Sequence, residues 1–514
     1  MITYLVLSLV VSALILGILG KCTRRINTVH YPPGPKGLPI LGNLLDMPTS
    51  EESWLIASEW KKKYGEMIYL EALGKRVLFL NSYKAATDLM EKHSQVCSSR
   101  PSSSMGDLLK WYWFVVFMPY GDKWRSHRRC LHHLLDRDEI VRYHERQEFD
   151  ARKLLAGLAE SPEQFLLHIR RTIASTIMMV TYGHEVEEDE DKDQYVSLAK
   201  QYLDLIQEAA IPGAFLVDLI PLLKCIPSWF PGARFQRLAN KGYNLSQEMR
   251  SKPYNDMKTK VLNGTSRPSM ISKLIEENRK EDGMVANEEM FRNVAGVMYA
   301  AGAGLTVSSI ETFFLAMVLY PEVQKRAHEE LDRVIGNDRL PSIQDRESLP
   351  YINAICKELM RWQPVTPLGL PHVLTENVEL NGYFIPKDTV VMANIWELLH
   401  DSDEYTEPGA FMPERFLPSQ DDNKKLPRDP CKVAFGFGRR ICPGRHMAMN
   451  TVFIIVSSVL SAFKFEKAIG PDGKPIVPEA QYIPEFSRHP VPFKCAIKPR
   501  GDRVINLIHQ SLDF

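Results

Sequence analysis

Cys442 is the residue whose setting most constrains the chemistry of this chain. It stands in Phe435-Gly436-Phe437-Gly438-Arg439-Arg440-Ile441-Cys442-Pro443-Gly444, with two glycines before it and Pro-Gly after it. The apolar run from Arg445 to Phe463 predicts a long helix, so the sulfur falls in a loop just before a helix N-terminus. Free amides and the helix dipole at such a place favour a thiolate over a thiol. Glycines let the backbone approach a flat ligand closely and aim N–H groups at sulfur. A lone thiolate with no other metal-ligand spacing suits axial ligation of haem iron. The competing reading is a small buried hydrophobic cysteine, and the neighbouring glycines and arginines weigh against it.

Three further constellations can carry chemistry. Leu349–Arg361 reads as a helix with Pro350 in its first turn, which makes Glu358 and Arg361 neighbours on one face. Trp124 and Arg128 are four residues apart and share a helical face, where an arginine can meet an anionic group. Val294–Val318 reads as a long, nearly uncharged helix with the small-residue run Ala301-Gly302-Ala303-Gly304 at its middle.

The pattern F-x-x-G-x-R-x-C-x-G, filled by Phe435, Gly438, Arg440, Cys442 and Gly444, resembles the haem-thiolate signature of the cytochrome P-450 monooxygenases. Other family motifs follow in the right order, and the texture is similar to microsomal, fungal members. The resemblance implies a mainly α fold with small β-sheets. It implies haem b with its iron held axially by Cys442. Trp124 and Arg128 then match the propionate-binding helix, and His372 and Arg440 match further propionate contacts. Glu358 and Arg361 match the E-x-x-R pair. Phe411-Met-Pro-Glu-Arg-Phe416 matches F-x-P-E-R-F, so Arg415 completes a buried Glu–Arg–Arg network.

One departure stands out. The oxygen-activating helix of the family carries (A/G)-G-x-(D/E)-T-(T/S), where the acid–alcohol pair delivers protons. Here Gly304 takes the place of the acid and Leu305 that of the threonine, with Thr306, Ser308 and Ser309 after them. Neither Gly304 nor Leu305 can relay a proton. Three readings follow. Thr306 swings in through a local helix bulge, which Gly302 and Gly304 permit. Ordered water or a substrate hydroxyl supplies the protons. Or the chain is a weak, uncoupled or non-monooxygenase member.

The elements that position these groups lie in one expected body, 46–514, helical with strand-like runs at Met67–Ala72, Arg76–Asn81 and Val378–Ile385. The last contains Asn381-Gly382, a hairpin signal. Before it come an uncharged run from Ile2 to Gly20, long enough for a transmembrane helix, and a basic, proline-rich hinge over 21–45. Lys21, Arg24 and Arg25 follow the run and keep the body on the cytosolic side by the positive-inside rule. The expected location is therefore the endoplasmic reticulum membrane, single-pass. Ala209–Phe235, broken by prolines and rich in aromatics, is either core or a surface segment dipping into lipid or lining a substrate entrance.

Composition closes off other classes. The 514 residues are 45% apolar and 25% charged, as in folded globular proteins. Lys+Arg and Asp+Glu are both 63, which removes the electrostatic case for nucleic-acid binding. Eight irregularly spaced cysteines without a CxxC argue against a zinc ribbon or disulfide framework and for a reducing compartment. No G-x-G-x-x-G strand–turn–helix or fused flavin domain is present, so electrons are expected from NADPH through a separate flavoprotein reductase. A basic docking face is expected near Arg439, Arg440 and Arg445. Trp111–Met118, Ala209–Phe235, Ala301–Thr306, Val365–Leu370 and Ile483–Phe486 are candidate pocket segments, mostly apolar. A hydrophobic substrate of secondary metabolism or xenobiotic oxidation follows. The alternatives are a haem isomerase or dehydratase on the same scaffold, and a non-catalytic haem-binding protein.

Overall fold

The structure, a computed structural model, describes residues 30–47, 52–187, 192–209, 215–418, 425–483 and 487–512. The expected anchor over 2–20 and hinge residues 21–29 lie outside them, as does most of Ile483–Phe486. The chain gathers into two compact units. The first takes the chain up to Pro101 with Pro367–Leu398 and Gly436–Ile441; the second takes Ser102–Thr366, Leu399–Phe435 and Cys442–Phe514. Their segments interleave along the sequence, which a linear search for a boundary inside 46–514 does not see.

In the first unit, helix α1 (Ser53–Tyr64) precedes the antiparallel pair β1 (Met67–Ala72) and β2 (Lys75–Leu80). β3 (His372–Val373) and β6 (Val390–Ala393) complete a sheet of order β1-β2-β6-β3, with β6 parallel to β2. Between them β4 (Val378–Leu380) and β5 (Tyr383–Ile385) form the expected hairpin, turning at Asn381 and Gly382, both left-handed. Ala57, Ile68, Leu70 and Phe79 make the core of the unit. Asn394 Nδ2 donates to the carbonyl of Trp54 and to Asn81 Oδ1, fixing the end of β6 to α1 and β2. The described part of the proline-rich hinge is non-helical, and it is docked rather than free. The Tyr69 amide donates to the Pro33 carbonyl at 2.9 Å, and a Cβ on Gly34 would stand 2.1 Å from the Tyr69 oxygen. Only glycine lets the hinge lie this close to β1.

The second unit is helical. It contains α2 (Asp122–Leu135), α3 (Phe165–Tyr182), α4 (Glu288–Leu319), α5 (Pro350–Trp362) and α6 (Arg445–Ala462). Two small antiparallel pairs join them, β7 (Phe463–Lys467) with β10 (Cys495–Pro499), and β8 (Tyr482–Ile483) with β9 (His489–Pro490). α4 is the axis of the unit and packs on α3, α6 and β9. Among the described residues it is the one helix long and apolar enough to cross a membrane, but most of its apolar length is buried inside the unit. That is the pattern of a core helix, apolar all round. Residues 210–214 of the Ala209–Phe235 stretch lie outside the described residues; in the rest, Leu216, Ile220, Leu222, Trp229 and Phe230 are exposed, while Phe215 and Val217 turn inward.

Candidate functional site

Cys442 lies at the mouth of α6. The Gly436 and Gly438 backbones are left-handed, and the Cys442 amide donates back to the Phe435 carbonyl at 2.9 Å, which closes the loop. A Cβ on Gly438 would sit 2.1 Å from the Met90 oxygen, so this glycine allows a close backbone contact. Burial pushes the Cys442 thiol above its ordinary pKa. The amides of Gly444 and Arg445 and the guanidinium groups of Arg128 and Arg445 pull it the other way. Residues Ile441–Ala448, at the start of α6, are all half-buried, whereas Met449–Leu460 are buried. Arg445 is also half-buried and donates to the Cys442 carbonyl at 3.2 Å. Of the three arginines expected on a docking face, only Arg439 is exposed.

Trp124 and Arg128 occupy one face of α2, with Trp124 buried and Arg128 half-buried. Burial lowers the Arg128 pKa. The charged groups that act on it are Cys442 and Arg445, and no carboxylate is among them. A half-buried guanidinium without an acid is a site for an anionic group. A cavity of 520 Å³ opens beside these residues, lined also by Arg125, Arg129, His132 and His133. The second unit thus brings Cys442, Arg128 and Arg445 into one electrostatic cluster.

His372 and Arg440 belong to the first unit. His372 is buried, with Nδ1 2.5 Å from the Cys97 carbonyl. Burial holds its pKa well below the usual range, and Arg100 and Arg440 add to this, so the ring is neutral. Arg440 Nε donates to the Ser98 carbonyl at 2.7 Å. Arg100 is buried beside them, donating to the carbonyls of Leu370 and Pro371; burial brings its pKa down to about 10. No motif marks Arg100 in the sequence, and only the fold places it here.

α4 runs as unbroken α-helix through Ala301–Thr306, so the bulge that would swing Thr306 inward is not formed. Val307–Val318 is buried throughout, yet Ala301–Gly304 and Thr306 are half-buried and Leu305 is 37% exposed. A Cβ on Gly304 would meet no heavy atom within 4 Å. The small residues therefore leave an open stretch in the middle of a core helix.

Farther along α4 is an acid that no sequence motif singles out. Glu311 has a side chain only 2% exposed, with Oε2 3.0 Å from His489 Nδ1 and Oε1 3.4 Å from Arg170 Nη2. Beside it Tyr482 donates to Thr312 Oγ1 at 3.2 Å, and Ser308 Oγ donates to the Arg488 carbonyl. The only sequence signal was a carboxylate inside the otherwise uncharged run Val294–Val318.

Glu358, Arg361 and Arg415 form a closed knot. Arg361 reaches both Glu358 oxygens at 2.8 Å and gives its other N–H groups to the carbonyls of Leu399, Pro408 and Ala410. Arg415 Nε and the Met412 amide also donate to Glu358 Oε1.

Comparison with known proteins agrees with this arrangement. The family model described as Cytochrome P450 matches residues 32–497. The chain is 40% identical to the Cytochrome P450 monooxygenase COX2 of Coprinopsis cinerea, over 94% of this chain and 92% of that protein. It is 40% identical to the Cytochrome P450 monooxygenase ple1 of Rhodocybe pseudopiperita, over 93% and 91%. It is 37% identical to the Tryptamine 4-monooxygenase of Psilocybe cyanescens, over 94% and 96%.

Proposed function

Because the chain belongs to the cytochrome P450 family, an oxidoreductase family, we propose that it is a membrane-anchored haem-thiolate monooxygenase of an apolar small molecule. It uses oxygen and electrons from NADPH, passed on by a separate flavoprotein reductase. The observation that carries this reading is the Cys442 loop, which turns two amides and two guanidinium groups toward a single sulfur at a helix mouth. That donor set fits a haem iron: burial alone keeps the sulfur protonated, and a metal cation supplies the charge that favours the thiolate. Arg128, with no carboxylate acting on it, and Trp124 are the residues of the second unit that would hold a haem propionate. For His372 and Arg440 the reading as propionate contacts rests on the resemblance of their motifs to the family's. Bound haem would supply the one-electron and oxygen-activating chemistry.

The remaining parts bind and orient. Trp111 stacks on Phe117 and Trp113 on Phe114, an aromatic block suited to an apolar substrate. The open stretch Ala301–Thr306 gives that substrate, or a water beside Thr306, room against α4. The exposed Leu216, Ile220, Leu222, Trp229 and Phe230 are an apolar surface of the kind that rests in a lipid interface. This supports a place on the endoplasmic reticulum membrane with the body cytosolic.

The test begins with the carbon-monoxide difference spectrum of the reduced protein, which shows the red-shifted thiolate band and loses it in Cys442→Ala. Turnover is then run with reductase, NADPH and oxygen, omitting each in turn, on metabolites that disappear from cells expressing the native chain but not Cys442→Ala. Product that forms without oxygen or reductase overturns the monooxygenase reading in favour of an isomerase or dehydratase.

A further inference from the structure

We propose that Glu311 and His489 form the proton reservoir for oxygen reduction in this chain, in place of the acid that Gly304 cannot supply. The inference rests on the monooxygenase reading above. Inserting one oxygen atom into a C–H bond consumes O2, two electrons and two protons, and yields the hydroxylated product and one water. The reductase supplies the electrons; the protons must come from bulk water to the open stretch of α4. Gly304 and Leu305 carry none.

The helix itself places the substitute. Successive residues turn ~100°, so position 311 lies ~20° from position 304 on the same face and about 10 Å farther along the axis. Ser308 falls between them on that face. Glu311 is the buried carboxylate of this stripe, and its surroundings differ from those of a sealed ion pair. The His489 side chain is 17% exposed and the Arg170 side chain 53% exposed, so the acid is buried while both of its partners reach water. The groups facing it are Arg170 on α3, His489 on β9, Tyr482 on β8 through Thr312, and Arg488 beside Ser308. None of the four is an acid that would repel its charge.

The relay runs in one direction. Protonated Glu311 passes its proton to the Ser308 hydroxyl, which turns away from the Arg488 carbonyl and hands its own proton to water beside Gly304. The Glu311 carboxylate then takes a proton from His489 Nδ1, and the His489 ring takes one from bulk water at Nε2. After each transfer both groups recover their starting charge, and a turn of the ring or exchange of its proton with water returns the N–H to Nδ1 before the second proton is passed. Arg170 holds the carboxylate between transfers without itself giving up a proton.

The experiment uses the full-length holoenzyme with reductase, NADPH and its substrate. Glu311→Gln keeps the shape and haem content but lowers product per NADPH by at least about tenfold, the lower range for losing a general acid, with peroxide released instead. The same substitution in a Gly304→Asp/Leu305→Thr background costs nothing, because that background carries its own acid. A second readout needs no turnover. Infrared spectra of the resting holoenzyme show a protonated-carboxyl band that shifts in heavy water and is missing from Glu311→Gln. His489→Gln, which keeps the acid but cuts its resupply, covers the case in which Glu311→Gln does not fold. Equal loss of coupling in both backgrounds, or unchanged coupling in both single variants, overturns the relay. A wild type that forms product without oxygen and NADPH overturns instead the reading on which the relay rests.

Discussion

Two buried carboxylates on core helices of the same unit have been given opposite surroundings. Glu358 on α5 is fully buried, and so is Arg361, which grips both of its oxygens; Arg415 and a backbone amide take up what remains. Glu311 on α4 is equally buried but is met by a histidine and an arginine that both reach water. The first charge is matched entirely inside the protein and has no route for a proton. The second is neutralised from the edge. A closed pair of this kind holds structure, while an edge-connected one can exchange protons, so burial alone does not separate the two roles.

The sharpest break in this comparison is Glu358→Ala. It strands Arg361 and Arg415 as buried cations without an acid, a loss of about 3–5 kcal/mol. The expected outcome is a steep fall in the midpoint of chemical unfolding and poor haem retention. Glu311→Ala costs less, about 1–3 kcal/mol, since Arg170 can turn into water and the edge of the His489 ring already reaches it. If the two alanine variants unfold at the same denaturant concentration, the contrast between closed and edge-connected acids is wrong.

A smaller effect comes from a pair of glycines. Gly438→Ala places a methyl 2.1 Å from the Met90 oxygen on a left-handed backbone, so the helical turn Asp88–Lys92 and the loop must part. The expected cost is at least about 1–3 kcal/mol, read by thermal unfolding. Gly304→Ala meets nothing within 4 Å and lies in helix, so it raises stability by about 0.5–1 kcal/mol. It also fills the space through which the proposed relay passes, and product per NADPH falls as stability rises. Opposite signs for two Gly→Ala changes would show that one glycine is kept for packing and the other for room.

Much of this was legible in the sequence, and the reason differs from place to place. Cys442 was legible because its loop needs local residue types: glycines for left-handed turns and a helix immediately after. The Glu358–Arg361 pair was legible because both members share one helical face. Arg100 was not, because it joins His372 and Arg440 through contacts hundreds of residues apart that leave no local pattern. The contact of Gly438 with the Met90 backbone was not legible, because it joins two segments hundreds of residues apart. The gap at Gly304 could be read, but what compensates it could not. Glu311 finds His489 and Arg170 only once β9 and α3 have packed against α4. The turn of Arg445 toward Cys442 was not legible for the same reason, since it depends on how the loop closes.

The smallest expected effect separates the acid chemistry of Glu311 from a general weakness of the fold at low pH. His328 is half-buried, and burial, followed by the nearby Arg500, depresses its pKa to about 4. An unfolded histidine titrates near 6.5. Between those two values the unfolded chain takes up a proton that the folded chain refuses. Stability therefore falls as pH drops from about 6.5 toward 4, by at most about 1.4 kcal/mol per pH unit. His328→Gln can keep a donor to the Phe463 carbonyl and removes the titration, so its unfolding midpoint declines less over that window. Product per NADPH at neutral pH is unchanged by it, because His328 does not face Glu311. Chemical unfolding at a series of pH values checks the first outcome and turnover the second. Against that flattened background, any pH dependence of coupling that survives in His328→Gln and disappears in Glu311→Gln belongs to the acid on α4.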